Sequence, residues 1–216
     1  MPDTLPSPKS LPNGLLIIFE GIDGVGKTTQ LKLAEEALKT AGWPVFSTRN
    51  LGGTPIGEAL REVIKSSLPR PNTTNLYISV AIQAALVETI QAERQKGQII
   101  LMDRGPLSLA AYEVYGEHLD EKLGWHYVEQ GMAGLKPELT ILYEAEVDTA
   151  LARARQKPDK ADYFESQSPE FFKNVARGYQ EAAKRYPKLV STVNAAESIE
   201  AVHDQTMRLI EKFLPA

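Results

Sequence analysis

The chain has 216 residues, a formal net charge of −4 and no cysteine. This acidic balance argues against the broad basic surface with which proteins bind nucleic acid or anionic lipid. The lack of cysteine excludes disulfide bonds, thiolate catalysis and cysteine-based metal sites, and it fits a cytoplasmic protein. A hydrophobic content of 43% and a charged content of 24% are ordinary for one globular domain of this length.

The first fourteen residues, 1–14, contain four prolines and lack the apolar core of a signal peptide. We expect a disordered tail there and one domain over residues 15–216. The most apolar later stretch, 76–90, is interrupted by Ser79, Gln83 and Glu88. It is too short and too polar to span a bilayer, so we expect a buried helix and no membrane contact.

A phosphate-binding loop is the strongest motif. An apolar run, 15–19, leads into Gly21, which is followed by four residues and then by Gly26, Lys27 and Thr28. This is G-x-x-x-x-G-K-[ST] between a strand pattern and a helix pattern, a context that disfavours an ordinary glycine-rich turn. Backbone N–H groups and the positive helix end would hold the phosphates of a nucleotide. The predicted nucleotide-binding residues are Gly21, Ile22, Asp23, Gly24, Val25, Gly26, Lys27, Thr28 and Thr29.

Further along the chain, short apolar strands alternate with helices. The predicted strands cover 45–48, 99–102, 139–143 and 189–193, and the predicted helices cover 28–40, 56–67, 76–96, 107–115, 117–131, 147–155, 168–182 and 199–213. This alternation predicts an α/β fold, a parallel five-stranded sheet with helices on both faces. The stretch from about 153 to 167 is polar and ends without periodicity, which indicates a short mobile lid.

Ligands of such sheets bind beyond the carboxyl ends of the strands. That rule brings together the glycine-rich loop, Arg49 after the second strand, and Asp103 and Arg104 after the third. The two arginines could hold an acceptor phosphate through their planar guanidinium groups. Lys27 would contact the β- and γ-phosphates of the donor, while Thr28 and Asp103 could hold Mg²⁺. The alternative for Asp103 and Arg104 is a surface ion pair.

Four cations, Arg153, Arg155, Lys157 and Lys160, lie in and after a helix end. They could bring charge to the γ-phosphate when a lid closes, or they could be a solvated helix C-terminus. The three histidines have no metal-ligand or triad spacing. A GTP-dependent switch protein should carry Asn-Lys-x-Asp, and a nucleic-acid motor should end its second key strand in two acidic residues. Neither pattern is present.

Over residues 15–214 the chain resembles thymidylate kinases. The resemblance rests on FEGIDGVGKTTQ (19–30), TRNLGGTPIGEALR (48–61), LMDRGPLSLAAYE (101–113), ALARARQKPDKADYFE (150–165) and FFKNVARGYQEAA (171–183). It implies a P-loop kinase fold, a homodimer, and Mg²⁺-dependent transfer of the γ-phosphate of ATP to a deoxynucleoside monophosphate, above all dTMP.

By the same resemblance, Asp23 would lie near the acceptor sugar hydroxyl, with Tyr112 in the acceptor site. Arg49 and Arg104 would hold the acceptor phosphate. Gly24 stands where some members carry arginine. This indicates the bacterial-like type, whose catalytic cation lies in the lid, here Arg153 or Arg155.

The departures from the family concern the acceptor base. The family places a phenylalanine on thymine and, four residues later, an arginine that binds it. Counting back from Gly97 puts Ile78 and Ile82 at those places, so we expect an aliphatic base pocket. Gln83 is one position away. Glu113 stands where the family often has glutamine or threonine.

Two further motifs differ from the family pattern. Residues 49–53 read Arg-Asn-Leu-Gly-Gly instead of Arg-Glu-Pro-Gly-Gly, and residues 162–165 read Asp-Tyr-Phe-Glu instead of Asp-Arg-Phe-Glu. Three hypotheses stay open: a thymidylate kinase, a kinase of the same fold with another acceptor, and a nucleotide-binding protein that has lost transferase activity.

Overall fold

The computed structural model describes residues 11–156, 163–164 and 166–215. Its centre is one parallel sheet with strand order β2-β3-β1-β4-β5. The strands are β1 (Leu15–Glu20), β2 (Val45–Arg49), β3 (Ile99–Asp103), β4 (Leu139–Glu144) and β5 (Val190–Asn194). The predicted α/β fold with a five-stranded parallel sheet is confirmed.

Each strand is followed, after a loop or turn, by at least one helix. They are α1 (Lys27–Thr40), α2 (Pro55–Lys65), α3 (Asn72–Gln95), α4 (Pro106–Leu109), α5 (Glu121–Leu135), α6 (Val147–Ala154), α7 (Pro169–Arg185) and α8 (Ile199–Glu211). The predicted helix over 107–115 is instead the short α4 continued by a π-helical segment, Ala110–Gly116. Among the described residues, no helix has the length and apolar composition needed to cross a membrane.

Helix α5 begins four residues later than the predicted segment 117–131. The reason is a cap: the Asp120 side chain accepts a hydrogen bond from the Leu123 N–H at 2.8 Å. Such a bond satisfies one of the free N–H groups of the first turn and defines the helix start.

The centre of the sheet is buried on both faces. Leu15, Ile17 and Phe19 of β1 enter one apolar cluster, whereas Leu16 and Ile18 enter a second cluster with residues of α3. Successive strand residues point to opposite faces, so an apolar strand with partners on both edges needs helices above and below. This is why every residue of β1 is buried.

The strand register aligns the three ends that carry polar residues. Phe19 of β1 and Arg49 of β2 both pair with Asp103 of β3. The glycine-rich loop, Arg49 and Arg104 therefore leave the sheet at the same edge, as the sequence predicts.

Two predicted segments extend outside the described residues. Of the tail 1–14, residues 11–14 are described; the Gly14 N–H donates to the Leu11 carbonyl at 2.9 Å, forming a turn. Of the lid 153–167, residues 157–162 and 165 lie outside the described part, among them Lys157 and Lys160.

Candidate functional site

The glycine-rich loop joins β1 to α1 in a conformation that its glycines permit. Gly24 has a φ of 84° and Gly26 a φ of 95°, both in the left-handed region. A Cβ on Gly24 would lie 1.8 Å from the carbonyl oxygen of Ala150, so helix α6 packs directly on the loop. Any side chain at position 24 would push α6 away.

Lys27 is the first residue of α1 and is buried. Its Nζ donates to the Ile22 carbonyl at 2.9 Å, which holds the ammonium group inside the loop. Burial, and then the charge of Arg104, lower the pKa of Lys27 to about 8, although Asp23 acts in the opposite direction. Next to it, the Thr28 hydroxyl donates to Asp103 Oδ2 at 2.7 Å.

Arg104 is the best-anchored side chain of the site. Its Nη1 donates to the Gly21 carbonyl at 3.0 Å and to the Tyr179 hydroxyl at 2.8 Å. Its Nη2 donates to Asp23 Oδ1 at 2.7 Å and to the Tyr112 hydroxyl at 2.9 Å. Nη1 also donates a longer hydrogen bond to the Ser108 hydroxyl at 3.5 Å. Together these bonds set the orientation of the guanidinium plane.

Asp23 lies between the loop and Arg104. It also accepts a hydrogen bond from the Tyr112 hydroxyl at 2.9 Å. Burial opposes its ionisation, but the charges of Arg104 and Lys27 prevail and hold the pKa of Asp23 well below its usual range. Asp23 therefore stays a carboxylate that can only accept hydrogen bonds.

A fully buried carboxyl group, Glu20, lies at the end of β1. It accepts hydrogen bonds from the Gly105 N–H at 2.8 Å, from the Ser108 hydroxyl at 2.6 Å and from the Tyr179 hydroxyl at 3.1 Å. Burial raises its pKa, while Ser108 and the charge of Arg104 act against that rise. Glu20 thus ties α4 and α7 to the central strand and supports two partners of Arg104.

Arg49 reaches the same edge but is paired. Its Nε and Nη2 donate to the two carboxylate oxygens of Glu58, at 3.2 and 2.6 Å. Glu58 also accepts the Gly53 N–H at 2.8 Å. The Arg49 side chain is 52% exposed, so a phosphate can approach it from solvent.

One cavity of about 1210 Å³ joins these groups. Its lining includes the loop from Asp23 to Thr29, together with Arg49, Asp103, Arg104 and Tyr112. Two predicted nucleotide-binding residues, Gly21 and Ile22, do not line it. They contribute from outside the cavity: the Gly21 carbonyl accepts a hydrogen bond from Arg104, and the Ile22 carbonyl accepts one from Lys27.

Neither Ile78 nor Ile82, the predicted base pocket, is among the residues that line the cavity. Ile82 is fully buried in the apolar cluster between α3 and the sheet, and Ile78 packs against the core. Ser79 and Gln83, one residue further along α3, line the cavity instead. Each helical residue turns the side chain by about 100°, so an error of one position selects the wrong face.

Of the predicted lid cations, Arg153 lines the cavity, and its Nη1 donates to the Ala195 carbonyl at 3.2 Å. Arg155 is exposed and is not part of the lining.

Three site residues lack a sequence signal strong enough to identify them. Tyr179 lies 75 residues from Arg104, and Ser108 binds both Glu20 and Tyr179. Phe164 packs its ring edge-to-face on Tyr112, with ring centres 5.5 Å apart. Only Ser108 has a local clue, because it lies four residues after Arg104.

Comparisons with known proteins agree with this geometry. The family model described as thymidylate kinase matches residues 19–206. A thymidylate kinase of Pelotomaculum thermopropionicum is 32% identical over 206 residues, covering 94% of this chain and 95% of the relative. A thymidylate kinase of Desulforudis audaxviator is 38% identical over 191 residues, covering 85% of this chain and 84% of the relative.

A solved structure of a thymidylate kinase from Ehrlichia chaffeensis has the same fold, with a TM-score of 0.74 at 24% identity. It covers 93% of this chain and 100% of that protein. The family model spans the phosphate loop, the Asp103-Arg104 strand end and α7, and together with the two bacterial relatives it shows that the chain belongs to the thymidylate kinase family.

Proposed function

We propose that the protein transfers the γ-phosphate of ATP to dTMP, giving dTDP and ADP. The observation that carries this proposal is that a phosphate-binding loop and an anchored acceptor arginine, Arg104, line one cavity. At about 1210 Å³, this cavity exceeds the size of a typical single-ligand site and has room for two substrates. The thymidylate kinase relatives supply the identity of the acceptor.

On the donor side, the loop N–H groups and Lys27 would hold the phosphates of ATP. Lys27 is already oriented by its bond to Ile22 and needs no large rearrangement to meet an anion. Phosphoryl transfer depends mainly on such positioning and charge neutralisation. Arg153, the predicted lid cation that lines the same cavity, would approach the transferred group.

On the acceptor side, Arg104 would bind the phosphate of dTMP, and Arg49 would add a second guanidinium. Asp23 would accept a hydrogen bond from the sugar hydroxyl, with Tyr112 beside it. All four Nη–H groups of Arg104 already donate to protein oxygens, which holds the guanidinium group in place, so the phosphate would have to replace partners such as the Tyr112 and Tyr179 hydroxyls.

The donor set of Thr28 and Asp103 fits Mg²⁺. A hydroxyl and a carboxylate lie 2.7 Å apart beside the loop, and both are oxygen ligands of the kind this ion prefers. Within the described residues, no group of three or more acidic, histidine or cysteine side chains forms a complete metal site. We therefore assign to Mg²⁺ a site shared by these two residues, the ATP phosphates and water. The bound ion would neutralise phosphate charge.

The direct test is ADP release with ATP–Mg²⁺ and a panel of acceptors: dTMP, dUMP, dCMP, UMP, AMP and GMP, with a blank lacking acceptor. We expect the highest kcat/KM with dTMP. If only another monophosphate is turned over, the proposed kinase activity stands but dTMP is not the acceptor. No turnover with any acceptor, while ATP still binds, would refute the function.

We also propose that the protein works as a homodimer in the cytoplasm, as its family membership suggests. Exposed apolar side chains on and near α2 and α3, namely Val63, Leu68 and Tyr77, support a buried contact between two copies. Light scattering should give twice the chain mass of 23.8 kDa. A mass equal to one chain would contradict the dimer, and cell fractionation tests the compartment.

A further inference from the structure

Tyr163 stands where the family pattern has arginine, and the proposed reaction has not used it. Its neighbour Phe164 is 9% exposed and lines the cavity. Tyr163 itself is partly buried and is not among the lining residues. The two neighbours therefore face different parts of the molecule, and any effect of Tyr163 on a substrate must pass through the residues that it contacts.

Three groups of Tyr163 make contacts with three other parts of the chain. Its N–H donates to the carbonyl of Lys65, the last residue of α2, at 3.2 Å. The guanidinium carbon of Arg70, in the loop before α3, lies 4.9 Å from the centre of its ring, a cation–π contact. Its hydroxyl is within hydrogen-bonding reach of Glu117, which follows the π-helical segment. The backbone, the ring and the hydroxyl are thus each held from a different side.

Arg70 and Glu117 are themselves fixed by hydrogen bonds. Arg70 Nη1 donates to the Ser66 carbonyl at 2.9 Å, and Arg70 Nε donates to Asn75 Oδ1 at 2.5 Å. Asn75 is fully buried, and its Nδ2 donates to Glu117 Oε2 at 3.1 Å. Arg70, Asn75 and Glu117 therefore form one hydrogen-bonded support on which Tyr163 rests.

A turn of the backbone connects this support to the cavity. The Ser166 hydroxyl donates to the Tyr163 carbonyl at 2.8 Å, and the Gln167 N–H donates to the Phe164 carbonyl at 3.0 Å. On the cavity side, Phe164 packs its ring edge-to-face on Tyr112. Because the turn holds the two neighbours together, a displaced Tyr163 would move Phe164 with it.

The ring of Phe164 limits the positions open to Tyr112. The Tyr112 hydroxyl donates to Asp23 Oδ2 and accepts from Arg104 Nη2, each at 2.9 Å. An acceptor phosphate that replaced Tyr112 on Arg104 would leave the hydroxyl with its bond to Asp23. That bond needs the Tyr112 ring in its present position, which the edge-to-face contact with Phe164 favours.

We propose that Tyr163 is a positioning residue for acceptor binding: its ring, packed on Arg70, holds Phe164 against Tyr112 and thereby keeps Tyr112 beside Asp23. This inference rests on the proposed function, because it concerns the acceptor site of that reaction. An arginine at position 163 would repel the guanidinium group of Arg70, whereas the face of a tyrosine ring attracts it. The departure from the family pattern therefore gives this position a supporting role in place of a charged one.

The first test is steady-state kinetics of Tyr163→Ala and Tyr163→Phe, with each substrate varied in turn. We expect Tyr163→Ala to raise the KM for dTMP about fivefold, the loss of one cation–π contact, and to change the KM for ATP less than about twofold. Tyr163→Phe keeps a ring on Arg70 and should stay within about twofold of the wild type. Tyr186→Ala, at the end of α7, is the matched control, because Tyr186 is also partly buried and outside the cavity lining.

Hydrogen–deuterium exchange gives a readout that does not depend on activity. The N–H groups of residues 163 and 167 are hydrogen-bonded to carbonyl oxygens, so they should exchange slowly in the wild type. In Tyr163→Ala, peptides that cover 163–171 should exchange faster, whereas peptides from α5 should exchange as in the wild type. The Tm should fall by less than about 2 °C, because the side chain is partly exposed.

The outcomes distinguish this inference from the function on which it rests. If Tyr163→Ala turns over dTMP with the wild-type KM, the inference is wrong. Equal rises in both KM values together with a large fall in Tm would also overturn it, because Tyr163 would then stabilise the fold as a whole. A Tyr163→Phe variant as impaired as Tyr163→Ala would show that the ring on Arg70 is not the holding group. If the wild type does not turn over dTMP at all, the proposed function itself fails.

Discussion

At the scale of the residue, Arg104 shows how hydrogen bonds fix a single side chain of the candidate site. It is 17% exposed and pairs with Asp23, and it has a φ of 66°, a left-handed conformation that few non-glycine residues adopt. The surrounding bonds must compensate for that conformation. The position of the guanidinium group therefore depends on all of the surrounding hydrogen bonds together.

We expect Arg104→Lys to lower kcat/KM for dTMP by roughly 100-fold or more, because an ammonium group cannot reproduce the planar fork. The KM for ATP should change little. Steady-state kinetics with each substrate varied in turn would show this. Arg94→Lys is the control, since Arg94 pairs with Glu138 and does not line the cavity. Equal losses in both variants would mean that Arg104 has only a structural role.

Lys27 gives a prediction about pH. Its pKa in the free protein is lowered to about 8, so it loses its proton above that value. The charged form is the one that binds phosphate, and kcat/KM reports the ionisation of the free enzyme. We expect kcat/KM for ATP to be steady below about pH 8 and to fall above it. A value that stays constant up to about pH 9.5 would contradict this role for Lys27.

At the scale of the element, the packing of α3 against α5 shapes the part of the cavity that Ser79 and Gln83 line. Gly131 of α5 lies under the Gln83 amide, whereas Gly134, almost one turn further along, lies under Val87. A Cβ on Gly134 would lie 3.2 Å from the nearest atom of the Val87 side chain, a tight contact but not a clash. The two glycines occupy the same helix but face different neighbours. They form a matched pair for testing how α5 controls the orientation of Gln83.

Gly131→Ala should displace Gln83 and raise the KM for dTMP several-fold, because the added methyl group occupies the space of the amide. Gly134→Ala should leave that KM unchanged. Alanine is more favourable than glycine inside a helix by about 0.5–1 kcal/mol, and this gain should offset the mild crowding against Val87. Kinetics and urea unfolding of both variants would test this. If both variants have the wild-type KM, Gln83 does not contribute to acceptor binding.

At the scale of the whole molecule, the site is assembled from distant parts of the chain. Arg104 bonds to Gly21, 83 residues earlier, and to Tyr179, 75 residues later. Glu20 and Tyr179, which bond to each other, are separated by 159 residues. A ligand held between these parts should therefore stabilise the folded chain as a unit.

ATP with Mg²⁺ at about 100 times its Kd should stabilise the fold by about 2.7 kcal/mol. For a chain of this size, that corresponds to a rise in Tm of roughly 5–10 °C. Lys27→Ala should lose most of this rise, since the loop then lacks its buried cation. Thermal unfolding with and without ATP measures the shift. An equal rise in the variant would show that ATP binds elsewhere.

The sequence by itself determined the features that depend on neighbouring residues. Strand residues 15–19, the glycine spacing from Gly21 to Gly26 and the helix after Lys27 are local patterns, and together they identify the phosphate-binding loop. The alternation of short apolar strands with helices determined the parallel sheet, because such strands must be covered on both faces. The rule that ligands bind beyond the carboxyl ends of parallel strands then placed Arg49 and Arg104 together.

Only the tertiary structure decided which face of α3 lines the cavity. That helix carries apolar residues on several sides, so its sequence does not indicate whether Ile78 and Ile82 or Ser79 and Gln83 face the cavity. Packing against the sheet rotates Ile82 into the core and thereby turns Gln83 toward the cavity. The partners of Arg104 were decided in the same way, since hydrogen bonds between distant segments form only when the fold brings them together.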